Sequence, residues 1–231
     1  MDHTVKAFDA DIGQLRGLIS QMGGLAENAI GLAMQALQRQ DPALASRVRA
    51  GDKSIDAIEA EVERLVVKVI ALRAPMANDL REVVAALKIA AVVERIGDYA
   101  KNIAKRVPMI ESDQRIEPMS ILPAMARMAA EMVRNALDAF AARDAEAAVR
   151  VVESDAALDD FYDSIFRTLV THMVENPKTI SQVAHLLFVA KNLERIGDHA
   201  TNVAEMVYFA ATGTQMADRD RGGDDIVQEY R

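Results

Sequence analysis

The chain contains no cysteine and no tryptophan. Disulfides, zinc sites built on thiolates and cysteine nucleophiles are therefore excluded. Aromatic residues make up only 4% of the sequence, and 231 residues hold just six prolines and eleven glycines. So few breakers, in a chain rich in Ala, Leu, Val and Met, predict an all-α protein whose helices pack closely through small side chains. A basic stripe and runs of aromatics are also missing, and 35 acidic residues outnumber 27 basic ones for a formal charge of −8. That balance argues against a nucleic-acid surface. The start, MDHTVKAFDADIG, carries neither a basic segment nor an apolar run, so it does not resemble a secretory signal. The longest apolar stretch, VVAALKIAAVV at 83–93, is interrupted by Lys88 and is too short for a bilayer. These features point to the cytoplasm.

Helical periodicity runs through most of the chain. It predicts six helices, at about 8–39, 42–73, 76–107, 119–142, 144–175 and 178–212. Asp41-Pro42, Ala74-Pro75 and Pro108 mark the early breaks, and the charged stretch MIESDQRIEP forms the central connector. The second half repeats the first. Asp41 corresponds to Asp144, Asp52 and Asp56 to Asp155 and Asp159, Pro75 to Pro177, and Glu94, Asp98 and Asn102 to Glu194, Asp198 and Asn202. The expected architecture is two tandem, similar three-helix bundles, residues 1–112 and 113–213, followed by a disordered tail at 214–231.

The repeated pentapeptide ERIGD, at 94–98 and 194–198, carries two carboxylates four residues apart. On the third helix Ile89, Val93, Ile96, Ala100 and Ile103 form the core stripe, which leaves Glu94, Asp98 and Asn102 stacked on the opposite face. Asp52 and Asp56 form a similar pair on the second helix, extended by Glu59 and Glu63. In an antiparallel hairpin, residues equally far from the turn lie side by side. Asp52 with Asp98, and Asp56 with Glu94, are equidistant from Pro75. Asp155 with Asp198, and Asp159 with Glu194, are equidistant from the Asn176-Pro177 junction. Each hairpin is thus expected to gather four carboxylates.

Like charges at this spacing cost ~0.2–0.5 kcal/mol per pair on a helix surface. Hard oxygen donors without thiolates suit Mg²⁺, Ca²⁺, Mn²⁺ or iron, and a row of carboxylates suits a multinuclear cluster better than one ion. A plainer reading stands beside this one. The rows can be solvated acidic faces, with Lys88, Arg95, Lys101, Lys191 and Arg195 supplying ordinary salt bridges. Gly97 and Gly197 serve either ligand access beside the acidic row or close helix contact. His199 lies about 100° around the helix from Asp198 and reads as a surface residue, while His3, His172 and His185 have no partner motif. Met125, Met128 and Met132 read as core. A ferritin-like or di-metal oxidase bundle would need Glu-x-x-His ligands, and no histidine here has a Glu three residues before it. There is also no phosphate-cradling glycine loop and no nucleophile with a paired base.

DKSID (52–56) with ERIGDYAKN (94–102), and DAALD (155–159) with ERIGDHATN (194–202), resemble the motifs of the PhoU family over about residues 1–213. That family comprises accessory and regulatory proteins of bacterial phosphate-specific transport, built from two three-helix bundles with multinuclear metal clusters on acidic E/D-x-x-x-D motifs. By that resemblance Asp52, Asp56, Glu94 and Asp98 hold one cluster, and Asp155, Asp159, Glu194 and Asp198 the other. Asn102, Asn202 and Glu59 are further candidates. Tyr162 and Phe166 replace Glu59 and Glu63 in the second half, so the two sites are not expected to match in nuclearity or affinity. The metal itself, whether Fe, Mn, Zn, Mg or Ca, is not distinguished. The resemblance also implies a non-enzymatic repressor of the phosphate-starvation response, and the Ala-rich helices suit a homodimer. Its expected partners are a sensor histidine kinase and the ATPase of the phosphate transporter.

Overall fold

A computed structural model describes residues 2–110 and 116–216. It contains six long helices: α1 (Asp2–Arg39), α2 (Pro42–Arg73), α3 (Asn78–Arg106), α4 (Leu122–Ala142), α5 (Ala145–Glu175) and α6 (Ile180–Thr212). Among the described residues there is no strand, and no helix is long and apolar enough to cross a membrane. Most of the stretch read as a tail, from residue 217 on, and residues 111–115 of the connector lie outside the described residues.

The helix ends follow local chemistry. Asp41 caps α2, its carboxylate accepting from the backbone N–H groups of Ala43 and Leu44 at 2.9 Å, with Pro42 in the first turn. Asp144 caps α5 in the same way through Ala147 N–H at 2.9 Å. Four starts differ from the sequence reading by two residues or more, among them α1, which begins at Asp2 rather than about residue 8. Ala74 and Ala77 both take positive φ, 46° and 48°, so the chain enters α3 at Asn78 rather than Met76. Short 3₁₀ turns at Glu117–Ser120 and Pro177–Thr179 precede α4 and α6, shifting both starts by two or three residues.

Helices α1, α2 and α3 pack on one another, and so do α4, α5 and α6. The two bundles join through α3 against α6 and α1 against α4, leaving α2 and α5 on the outside. The core is Ala, Val, Ile and Leu with few aromatics, including fully buried Ile89, Val93, Ile96, Ala100 and Ile103 of α3. Met125 and Met132 are buried and Met128 packs against them, as their spacing suggested. The α3–α6 contact brings repeat-equivalent residues together: the rings of Tyr99 and His199 meet edge-to-face at 5.1 Å. Arg106 lies 4.5 Å over Phe188 in the same antiparallel register.

The joint between the bundles also holds a buried charge. Glu82 of α3 is 5% exposed. It accepts from Arg16 of α1 at 2.7 Å and from Arg143, the residue that ends α4. Arg134 of α4 bonds Glu27 of α1 at 2.6 Å. The Glu82–Arg143 and Glu27–Arg134 pairs cross from one bundle to the other. Arg143 has a depressed basicity from burial and from the neighbouring Arg16 charge, which Glu82 separates from it.

Candidate functional site

Each acidic set lies along a helical hairpin, α2–α3 in the first half and α5–α6 in the second. The glycine of ERIGD faces the other helix of each hairpin at close range. A Cβ on Gly97 would lie 2.7 Å from Ile55 Cδ1, and one on Gly197 2.2 Å from Leu158 Cδ2. The same points lie 3.6 Å from Asp52 Oδ1 and 3.4 Å from Asp155 Oδ1. Close packing on the buried side therefore sets the distance at which the facing aspartates stand. Of the two uses open to these glycines, close helix contact is the one with direct geometry behind it.

Asp52 and Asp155 are the innermost carboxylates, 7% and 4% exposed. Asp56 and Asp159 are exposed, whereas Glu94, Asp98, Glu194 and Asp198 are half-buried. In the second half, Asp155, Asp159 and Asp198 each place one oxygen within 4.8 Å of the others. Among the described residues this is the one such group of three. The hairpin alignment thus brings Asp198 to the Asp155/Asp159 row.

Glu194 stands at the edge of this group. Its Oε1 accepts from Lys191 Nζ at 2.6 Å, while its buried Oε2 has no hydrogen-bond partner. Burial raises its pKa, the Lys191 bond opposes this, and Asp198 adds to it. Lys191 in turn lies 5.3 Å from the ring of Tyr162.

The first half is arranged differently. Lys101 Nζ donates to Asp98 Oδ1 at 2.9 Å and to Asp52 across the hairpin. The predicted level pairing of Asp52 with Asp98 is therefore present, but bridged by an ammonium. These bonds hold the Lys101 pKa well above the ordinary lysine value. Glu94 is raised by burial and then by Asp98, Glu59, Asp56 and Asp52. Glu59 is raised by burial and then by Glu63 and Asp56. Mutual repulsion thus extends along the whole first-half row.

The remaining candidates divide. Asn102 accepts from Lys105 at 3.0 Å on the surface, and Asn202 is half-buried; neither belongs to the carboxylate group of three. His199 is not a free surface residue. It is half-buried against Tyr99, and its Nδ1 pairs with the Arg195 carbonyl at 2.8 Å. The sequence reading missed the Arg16–Glu82–Arg143 network, because its members are dozens of residues apart and share no motif.

The donor set of the second hairpin suits a hard cation: three carboxylates from two helices, close together and without competing sulfur. In the first hairpin a cation already sits between two of the four carboxylates.

Comparison with known proteins agrees with the repeat. The PhoU domain matches the chain twice, over residues 19–107 and 122–207. A phosphate-specific transport system accessory protein PhoU homolog of Zymomonas mobilis is 55% identical over 227 residues, covering 98% of this chain and 96% of its own. A protein of the same description from Caulobacter vibrioides is 43% identical, covering 93% and 94%. The crystal structure of PhoU from Pseudomonas aeruginosa superposes with a TM-score of 0.85 at 36% identity, covering 90% of this chain and all of that one. With both repeats matched by the family and relatives aligned over nearly their whole length, the chain belongs to the PhoU family.

Proposed function

We propose that this protein is a metal-binding accessory and regulatory protein of a phosphate-specific transport system, with no catalytic chemistry of its own. The names of its relatives support the transport role. The observation that carries the metal reading is the convergence of Asp155, Asp159 and Asp198. In this reading Asp155, Asp159, Glu194 and Asp198 hold the second site, and Asp52, Asp56, Glu94 and Asp98 the first, with Glu59, Asn102 and Asn202 as added donors. The bound species is a cluster of divalent or iron ions. Each three-helix repeat, 1–112 and 113–213, carries one site.

Bound metal would turn a repulsive acidic face into a neutral or cationic one and change what can dock there. The hairpin turns add apolar contact for a partner: Leu72, Met76 and Val174 are 64%, 79% and 76% exposed. The partners in this reading are the sensor histidine kinase and the transporter ATPase, met by a homodimer in the cytoplasm, and the outcome is repression of the phosphate-starvation response.

Elemental analysis of the intact protein tests the metal half. Asp155→Ala with Asp198→Ala should remove metal from the second hairpin and spare the first. Asp56→Ala with Glu94→Ala should do the reverse. Loss of both together, or of neither, contradicts two hairpin sites. Deleting the gene should leave phosphate-starvation genes on when phosphate is plentiful. A normal response, with neither partner captured by the purified protein, overturns the regulatory half.

A further inference from the structure

The two hairpins carry the same four carboxylates, and in each a lysine bonds to the set, but these lysines stand in different places. Lys101 lies one turn beyond Asp98 on α3. Its ammonium joins Asp98 Oδ1 at 2.9 Å to Asp52 on α2, so it spans the hairpin between the buried Asp52 and the more exposed Asp98. Its side chain is 28% exposed and that of Asp52 only 7%. The repeat-equivalent residue is Thr201, which brings no charge. It is 3% exposed, and its hydroxyl donates back to the Asp198 carbonyl at 2.6 Å. The second-half lysine, Lys191, replaces Ala91 and sits three residues before the ERIGD carboxylates instead of three after. It reaches Glu194 at the edge of the row. Charge-assisted bonds to two carboxylates at once are among the stronger polar contacts a side chain makes. A metal ion seeking Asp52 and Asp98 must break both.

We propose that Lys101 is the resident cation of the first acidic site, so that the two hairpins fill with metal unequally: the first takes it only by displacing the ammonium, whereas the second has the uncharged Thr201 at that position. This rests on the metal-binding reading given above. It makes the first hairpin a threshold element. At low metal Lys101 ties α2 to α3; at high metal the ions replace it, and its ammonium swings out beside the cluster as a new surface charge. The sequence difference Lys101 against Thr201 is enough to give one chain two metal sensitivities.

The test titrates Mn²⁺ into chelator-stripped full-length protein by calorimetry, with melting temperature as a second readout. Wild type should show a tight and a weak class of sites, and Asp155→Asn with Asp198→Asn should delete the tight one. Lys101→Thr should tighten the weak class about tenfold or more, equivalent to ~1.4 kcal/mol, and leave the tight class unchanged. Lys101→Arg, which keeps the charge, should leave the weak class weak. Lys101→Met, which keeps the aliphatic stem, provides the same comparison if the threonine variant is poorly folded. In chelator Lys101→Thr should melt below wild type, and Mn²⁺ should raise its melting temperature by more than it raises wild type. Equal filling of the wild-type sites, or a weak class indifferent to Lys101→Thr and Lys101→Met, overturns the inference and leaves the metal reading standing. Failure of wild type and Lys101→Thr alike to bind Mn²⁺ overturns both.

Discussion

Replacing Gly197 by alanine sets two opposed effects against each other. Alanine in a helix interior is favoured over glycine by about 1 kcal/mol. The added methyl, however, would lie 2.2 Å from Leu158 Cδ2, far inside ordinary contact. Leu158 is fully buried and cannot swing into solvent. Overpacking of this kind costs about 1–3 kcal/mol, and so close an approach belongs in the upper part of that range. The net expectation is a loss of about 1–2 kcal/mol, or roughly 2–8 °C in melting temperature for a chain of this size. Gly97→Ala should cost less, because its clash with Ile55 is milder at 2.7 Å. Leu158→Ala alone should cost about 2–5 kcal/mol. In the double variant the new methyl fills part of the vacated space, so the pair should cost less than the sum by roughly 0.5–3 kcal/mol. Thermal melts by circular dichroism in chelator measure all of this without metal. A Gly197→Ala protein that melts at or above wild type would refute the close-contact argument. If the same protein had also lost metal, glycine would instead be needed for ligand access beside Asp198.

Glu82→Gln should lower the melting temperature, since it leaves Arg16 and Arg143 facing each other; with both guanidiniums partly exposed, roughly 1–3 kcal/mol is expected. An unchanged melt would show that the network contributes nothing across the joint. Asp41→Ala removes the α2 cap and should cost about 1 kcal/mol, whereas Asp41→Asn should cost almost nothing; equal losses would contradict the capping role. Burial and the Arg106 charge depress the His185 pKa below 6.5, so the folded state takes up fewer protons than the unfolded one. Its contribution is present above about pH 6.5 and is lost as pH falls below that value. His185→Gln should therefore lose less melting temperature than wild type between about pH 7 and pH 5, and parallel curves would exclude this group as a source of acid sensitivity.

The fold was legible because it is written twice and locally. Proline and capping aspartates mark the helix ends, a 3.6-residue period marks the core face, and the repeat fixes which helices correspond. The side-by-side level of Asp52 with Asp98, and of Asp155 with Asp198, followed from counting residues away from each turn. What counting cannot supply is rotamer choice and long-range partnership. Glu82 looks like any acid near the start of a helix. Its burial depends on Arg16 and Arg143, contributed by the first helix and by the end of the fourth. His199 looks exposed on its own helix, and only the packing of α6 on α3 places Tyr99 against it.

Lys101 shows where a residue count stops being informative about a site. The sequence offers five basic side chains near the ERIGD motifs, all plausible countercharges for a solvated surface. In the structure they do different things. Arg195 lies 6.0 Å over the Tyr99 ring, Lys191 bonds Glu194, and Lys101 bridges two helices through Asp52 and Asp98. Both hairpins carry the same four motif carboxylates, yet only the first has an ammonium at the position where the second has Thr201. A motif that repeats perfectly over five residues can therefore carry two sites of different character. The residue that distinguishes them lies three positions past its end, where alignment shows only lysine against threonine.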